Sequence, residues 1–575
     1  MIPQALSPKG KLCLLAVILI TYLTYLPSLF NSFVNWDDYD LLVDNAVVQS
    51  LSLQNVKSMA TTHLSGRFYP LTILAFAGEY HFFHLSPQYY HLVNLIFHLL
   101  NTLLVFWLLC QKLNLSLIVS VLTALLFGIH PLQVEAVAWV SSLKDVLSTF
   151  LFLLALLFYL ESQEGSRPVN GFYCLSVILL GLSLLAKPLA ITFPFIIFLI
   201  DYYHNKKIKI SSLLTYGPYV ILAVFFSWVT LDMARQAQAF PATEMYPALF
   251  RPWFSLWAWL FYIGKLIFPL PLSNHYPIDF FIRLTPMMAP VLPAFLFLFI
   301  YGLVLLKSRV KGLVLPFLFF CLTISPVLHF IKVNDSLIYE RFVYVPSLGI
   351  FLLLSVGVEV LLKRFSSLSW PRNAVVLLAA AYILTLTVMS YQRCRIWRDS
   401  WTLWTDCLQK FPENPVAYNN RGSAYSEQRQ YALAMMDFNQ AIRLRSDYAL
   451  AYYNRGNIAA MYGNYPMAIQ DYNQSIQLNP RDIKSYNNRG NMYLLLKKNP
   501  SALTDYTYAL TLEPANSKIR LNRAMLFYAT NDLWHAEVDA FDVLTADPHN
   551  ELAERLLIEI SVRKNKQPIP HSHRP

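Results

Sequence analysis

Apolar runs of roughly twenty residues recur from Leu12 to Tyr391 and then stop. A helix needs about 20 such residues to cross a hydrocarbon core about 30 Å thick. Few folds are open to a chain built this way, because a backbone in lipid must satisfy its own hydrogen bonds. The expected spans are 12–30, 92–110, 115–131, 144–160, 172–186, 188–203, 213–231, 288–306, 312–330, 341–362 and 372–391, about eleven in all. Charged residues make up 14% of the chain, against about 25% in ordinary soluble domains, and they crowd into its last third. The expected fold class is all-α, with a polytopic membrane helix bundle over 1–392 and a soluble domain over 393–575.

The net charge of +11 follows from lysines and arginines placed in short loops between apolar runs. No compact basic patch or RNA-binding signature accompanies them, so nucleic acid is not an expected partner. Three basic clusters mark cytoplasmic loops under the positive-inside rule: Lys206, Lys207 and Lys209; Lys307, Arg309 and Lys311; Lys363, Arg364 and Arg372. They put the N-terminus inside and the soluble domain outside, in the periplasm or a lumen. The run 253–270 is then re-entrant or interfacial on the outer side. Arg393, Arg395 and Arg398 resist this arrangement, since they follow the last span on the outer face. The first run follows Lys9 and Lys11 with no small-residue cleavage site after it, which fits an uncleaved span. The six cysteines show no C-x-x-C spacing; only Cys394 and Cys407 lie in the polar region.

The soluble domain repeats every 34 residues. Asn420-Arg421-Gly422, Asn454-Arg455-Gly456, Asn488-Arg489-Gly490 and Asn522-Arg523-Ala524 share one register. Ala434 and Phe438, Ala468 and Tyr472, and Ala502 and Tyr506 follow at fixed offsets, and Pro480, Pro514 and Pro548 close units. This pattern resembles the tetratricopeptide repeat, a pair of antiparallel helices in which small residues allow close approach. Trp404 and Pro412 match the second helix of an earlier, incomplete unit. Glu551 to Lys564 reads as a terminal cap. The recurring Asn and Arg either line a concave groove or bridge neighbouring units, and the pattern favours neither.

On the expected topology 31–91, 132–143, Lys187, 232–287 and 331–341 share the outer face. Asp37-Asp38 is an acidic pair just beyond a span, where one carboxylate could act as a base while the other orients it. A solvated loop start is the plain alternative. Glu79 sits in an aromatic amphipathic segment. His91, Asn94, His98 and Asn101 share one helical face, where interhelical hydrogen bonding competes with a site role. His130-Pro131 ends a span, and Glu135, Lys144 and Asp145 follow. Lys187 interrupts two apolar runs, which is costly unless it is paired or holds an anion. Glu340, Arg341 and Tyr344 cluster at another edge. A zinc set from His81, His84, His91 and His98 is too loosely spaced to be preferred. A divalent metal is left open, and no cofactor is required.

Taken in order, Phe33-Val34-Asn35-Trp36-Asp37-Asp38, Tyr69-Pro70-Leu71, His91-x-x-Asn94, His130-Pro131-x-x-x-Glu135, Lys144-Asp145-Val146-Leu147, Lys187 and Glu340-Arg341-x-x-Tyr344-x-Pro346 resemble the transmembrane and tetratricopeptide-repeat (TMTC) glycosyltransferases and their bacterial relatives. The resemblance covers essentially the whole chain. It implies an integral-membrane glycosyltransferase of the GT-C class, in a bacterial inner membrane or an endoplasmic-reticulum membrane. Such an enzyme would move a sugar, mannose among the choices, from a polyprenyl-phosphate donor to a hydroxyl of a protein acceptor with inversion. Asp37 and Asp38 are then the catalytic candidates, and Arg341, Lys187 and Lys144 the candidates for the donor phosphate. A non-catalytic scaffold and a lipid-linked sugar transporter are the competing readings. The first would make the outer acids dispensable. The second would need polar residues at mid-span on several helices.

Overall fold

The computed structural model describes residues 6–61, 68–164, 169–203, 210–236, 251–277, 311–328 and 338–566. Every regular element among them is helical, as the apolar and 34-residue patterns predict. Helix starts follow local chemistry. The Ser7, Ser116 and Asn170 side chains accept backbone N–H groups of the first turn, and Pro8, Pro70 and Pro87 open helices where no N–H is needed.

Among the described residues five helices are long and apolar enough to cross a membrane: Pro8–Phe30, Pro87–Lys112, Val140–Gln163, Thr215–Met233 and Ser369–Ile396. A sixth span forms if Leu117–Ile129 and Pro131–Ala138, which meet at 50°, count as one. Gly171–Ala186, Pro188–Tyr203 and Leu313–Val327 match three further expected spans as shorter apolar helices. Ser347–Arg364 covers most of 341–362 but ends on Glu359, Lys363 and Arg364. The expected span 288–306 lies outside the described residues, as do Lys206, Lys207, Lys209, Lys307 and Arg309.

The segment 132–143, expected as a short outer connection, is buried throughout, as are the flanking residues from 130 to 148. It breaks into a 3-10 turn, the short helix Val134–Ala138 and a second 3-10 turn, Val140–Ser142, before the helix Leu143–Gln163 begins. Burial on this scale lets its polar residues be met by other segments rather than by water.

The chain divides into two compact units, Met1–Phe411 and Pro412–Pro575. The first runs past residue 392 because the helix Ser400–Lys410 buries Leu403, Trp404 and Cys407 within it. The second holds four helix pairs, from Pro415–Glu427 with Tyr431–Leu444 to Ser517–Ala529 with Leu533–Ala546, and the closing helix Glu551–Lys566. Within each pair Arg421, Arg455, Arg489 and Arg523 clasp Asp437, Asp471, Asp505 and Asp539. Asn454, Asn488 and Asn522 donate to Asn419, Asn457 and Asn487 of the preceding unit at 2.8–2.9 Å. The repeated Asn and Arg therefore bridge helices. Glycine is required beside the aromatic: a Cβ on Gly422 or Gly490 would lie 2.7 Å from the Phe438 or Tyr506 ring.

Candidate active site

The two aspartates of the acidic loop take different surroundings. Asp38 is buried and accepts from the backbone N–H of Val34 and of Ser141, each at 2.9 Å, and from the Ser141 hydroxyl. Burial pushes its carboxyl up to about 6, while the hydrogen bonds from Ser141 and Val34 oppose that rise. Asp37 is half-buried and lies 3.6 Å from the Lys144 ammonium. Lys144 is buried on the first turn of Leu143–Gln163, with the rings of Trp139 and Tyr69 at 5.0 and 5.7 Å.

A cleft of about 450 Å³ lies nearby in sequence but uses other residues. Asp145, Lys187, Arg341 and Tyr344 line it, together with Ser148, Thr149 and Thr192. The Lys187 ammonium meets Asp145 at 2.5 Å; burial lowers the lysine from its ordinary value and the carboxylate opposes this. Arg341 is clasped by Glu135, which takes its guanidinium on one oxygen and its backbone N–H at 3.2 Å on the other. Its guanidinium also lies 4.1 Å from the Tyr339 ring centre and 4.9 Å from that of Trp139. The Arg341 Nε and one Asp145 carboxylate oxygen are buried without a hydrogen-bond partner. Two cations thus share one cleft, each held by a single carboxylate. A second, larger cleft of about 1020 Å³, lined mainly by Pro194, Phe195, Val220 and Leu322, shares Thr192 with the first.

The other expected residues hold the frame. Tyr344 donates to His98 Nδ1 at 2.7 Å, because His98 Nε2 faces the Gly128 carbonyl at 3.0 Å and must be the donor there. Asn94 donates to the Trp139 carbonyl at 2.9 Å and Asn101 to that of Val146 at 2.9 Å. His130 Nδ1 accepts from Leu132 and caps the 3-10 turn. His91 is buried on the Asn94 face. Glu79 is buried in Pro70–Phe83, and burial raises its carboxyl well above the ordinary value. Glu340 turns away from the cleft. It accepts from Arg393 at 2.7 Å, Ser273 at 2.8 Å and Tyr276 at 2.9 Å, and burial pushes it up to about 7 against the pull of Arg393. Ser141, Trp139 and Tyr339 shape the site without having stood out in the sequence. Trp139 does lie between Glu135 and Lys144 in the sequence. Among the described residues no group of three His, Cys, Asp or Glu has the arrangement to hold a metal.

Helices long and apolar enough to cross a membrane, a buried charged cleft and an array of helical repeats occur in this chain, and the relatives it is similar to are named protein O-mannosyl-transferases. Tetratricopeptide-repeat models match residues 415–448 and 449–482. The chain is 25% identical over 479 residues to the protein O-mannosyl-transferase F38B6.6 of Caenorhabditis elegans, covering 78% of this chain and 65% of the relative. It is 26% identical to human protein O-mannosyl-transferase TMTC3, over 74% of this chain and 50% of that protein. Against human TMTC1 the identity is 34% over 228 residues, 36% of this chain and 25% of the relative. The chain thus spans between a quarter and two thirds of the length of these relatives. The solved structure of YrrB, described as a TPR protein with an unusual peptide-binding site, overlaps 28% of this chain and 84% of its own at 20% identity and a TM-score of 0.27.

Proposed function

We propose that the chain is an integral-membrane glycosyltransferase that moves a sugar, mannose by analogy with its relatives' names, from a polyprenyl-phosphate donor to a hydroxyl of a protein acceptor. The observation that carries this reading is the pair of buried cations, Lys187 and Arg341, lining one cleft of about 450 Å³. Asp145 and Glu135 each hold one of these cations, and donor capacity is left over, the Arg341 Nε among it, for the anionic oxygens of a phosphodiester. The adjoining apolar cleft suits the lipid part of the donor.

In this mechanism the acceptor hydroxyl oxygen bonds to the anomeric carbon while the bond from that carbon to the phosphate oxygen breaks. The electron pair leaves with the polyprenyl phosphate, and direct displacement inverts the centre. The leaving group is already anionic, so charge stabilisation by Arg341 and Lys187 matters more than protonation. The hydroxyl proton goes to a carboxylate. Asp37 suits that task better than Asp38, because it is half-buried and faces the Lys144 ammonium at 3.6 Å instead of being held by three buried donors. Lys144 then serves the base more directly than the phosphate.

The test is transfer from a synthetic polyprenyl-phosphate sugar to a hydroxyl-bearing peptide, with glycoprotein mass spectrometry of cells with and without the protein. Asp37→Asn should lower turnover by about 10²–10⁴-fold, the usual cost of losing a general base, while donor binding persists. Arg341→Ala should weaken donor binding and turnover together. A wild-type chain that transfers no sugar, or an Asp37→Asn chain with normal turnover per folded protein, would overturn the respective assignment.

A further inference from the structure

The helix Ser400–Lys410 follows the last long apolar helix and precedes the repeats, yet its contacts lie on the two loops that bracket the site. Its buried Trp404 stacks on Trp36, with ring centres 4.8 Å apart and planes within 16°. The indole N–H of Trp404 donates to the Asn35 side-chain carbonyl at 2.8 Å. The Ser400 hydroxyl accepts the backbone N–H of Asn35 at 2.9 Å. Just before the helix, the Arg398 carbonyl accepts from Ser32 at 2.8 Å and that of Cys394 from Asn31 at 3.0 Å. The loop leading into Asp37 is therefore fastened at Asn31, Ser32, Asn35 and Trp36 to one stretch of chain more than 360 residues away.

The other end of the helix grips the second loop. The Lys410 ammonium donates to the Leu272 carbonyl at 2.6 Å and Cys407 faces the His275 carbonyl at 3.6 Å. That loop supplies Ser273 and Tyr276 to Glu340, the neighbour of Arg341. His275 closes the circle, its ring centre 5.9 Å from that of Trp36.

We propose that the Ser400–Lys410 helix is a working part of the transfer site and that Trp404 is a positioning residue for Asp37. The inference rests on the transferase reading above. Trp404 touches neither donor nor acceptor; it fixes Asn35 and Trp36, and these set where the next residue, Asp37, meets the acceptor hydroxyl. A shift of about 1 Å in a reacting group can cost about 10²-fold in rate.

The experiment uses the full chain in nanodiscs with the polyprenyl-phosphate sugar and a short hydroxyl peptide. Trp404→Phe keeps a stacked ring and loses the N–H; Asn35→Ala loses the same bond from the other side. Each should lower kcat by about 10-fold, with donor affinity unchanged, and the double variant should be no worse than either single. Wild-type kcat in both singles, or additive losses in the double, overturns the inference. If the wild-type chain transfers no sugar, the transferase reading fails, and the placement of Asp37 is then decided by carbodiimide labelling read by mass spectrometry. Trp404→Phe should raise labelling of Asp37 several-fold relative to the exposed Glu551; equal labelling overturns the inference.

Discussion

A carboxylate whose oxygens both accept from buried donors is held in place by the fold and is poorly placed to meet a substrate hydroxyl. Asp38 is in that position, joined to Val34 and Ser141, and its role is to tie the acidic loop to the Val140–Ser142 turn. Its folded pKa of about 6 lies above the unfolded value of about 3.9. A raised carboxyl contributes stability that is fully present below the unfolded pKa and is lost as pH rises through the folded one. The difference in melting temperature between wild type and Asp38→Asn should therefore shrink from pH 4 to pH 6 and level off above pH 7, as read by thermal denaturation in detergent. A difference that grows over that window would contradict the assignment. The acidic pair was legible in the sequence as a candidate, but the division of labour was not. Ser141, which claims Asp38, is 103 positions away, and Lys144, which faces Asp37, is further still in sequence. Only packing of the buried 130–148 segment brings them together.

Elements that repeat were the most legible, and the reason is physical: each unit must bury the same face against its neighbour, so the same residue types recur. The role of the repeated arginine is legible only together with its partner. Asp437, Asp471, Asp505 and Asp539 keep the same 34-residue register, each 16 positions after its arginine, and that register was the missed signal. The fourth unit shows a compensated exchange. Ala524 replaces the glycine where Ala540 replaces the aromatic, and both are fully buried. In the third unit the ring is present, so Gly490→Ala should overpack against Tyr506 and cost about 1–3 kcal/mol in thermal or urea unfolding. Gly490→Ala combined with Tyr506→Ala should recover part of that loss, and no recovery would mean the glycine serves another purpose. Arg393 shows the opposite limit of sequence reading. It looked like a basic residue on the wrong side of the membrane, whereas it is buried and bonded to Glu340. Arg393→Ala leaves Glu340 without its cation and should lower stability by about 3–5 kcal/mol, the usual cost of breaking a buried pair.

For the whole molecule, Arg393 is buried against Glu340, so Arg395 and Arg398 are the exposed basic residues that follow the last long apolar helix, and external repeats are the expectation to test. A reporter fused after Pro575 should then read outside the cytoplasm, and a cytoplasmic signal would remove the outer-face site. The arrangement of chain into units gives a sharper test. The sequence divides at about 392, where apolar residues stop, but compact packing extends to Phe411 because the Ser400–Lys410 helix is claimed by the loops at 31–36 and 272–276. Composition could not reveal this, since that helix is amphipathic and its tryptophan matches a repeat position. Two truncations separate the views. A chain ending at Phe411 keeps the helix and loses the repeats; it should retain most turnover on a short hydroxyl peptide and lose transfer to folded protein acceptors. A chain ending at residue 392 also loses Trp404, so the acidic loop is released and turnover should fall on both acceptors, while Lys187, Arg341 and donor binding persist. Both proteins would be compared in nanodiscs, normalised to donor bound. Equal activity of the two on the short peptide would return the Ser400–Lys410 helix to the repeat domain, and loss of peptide transfer in both would make the repeats themselves part of the catalytic unit.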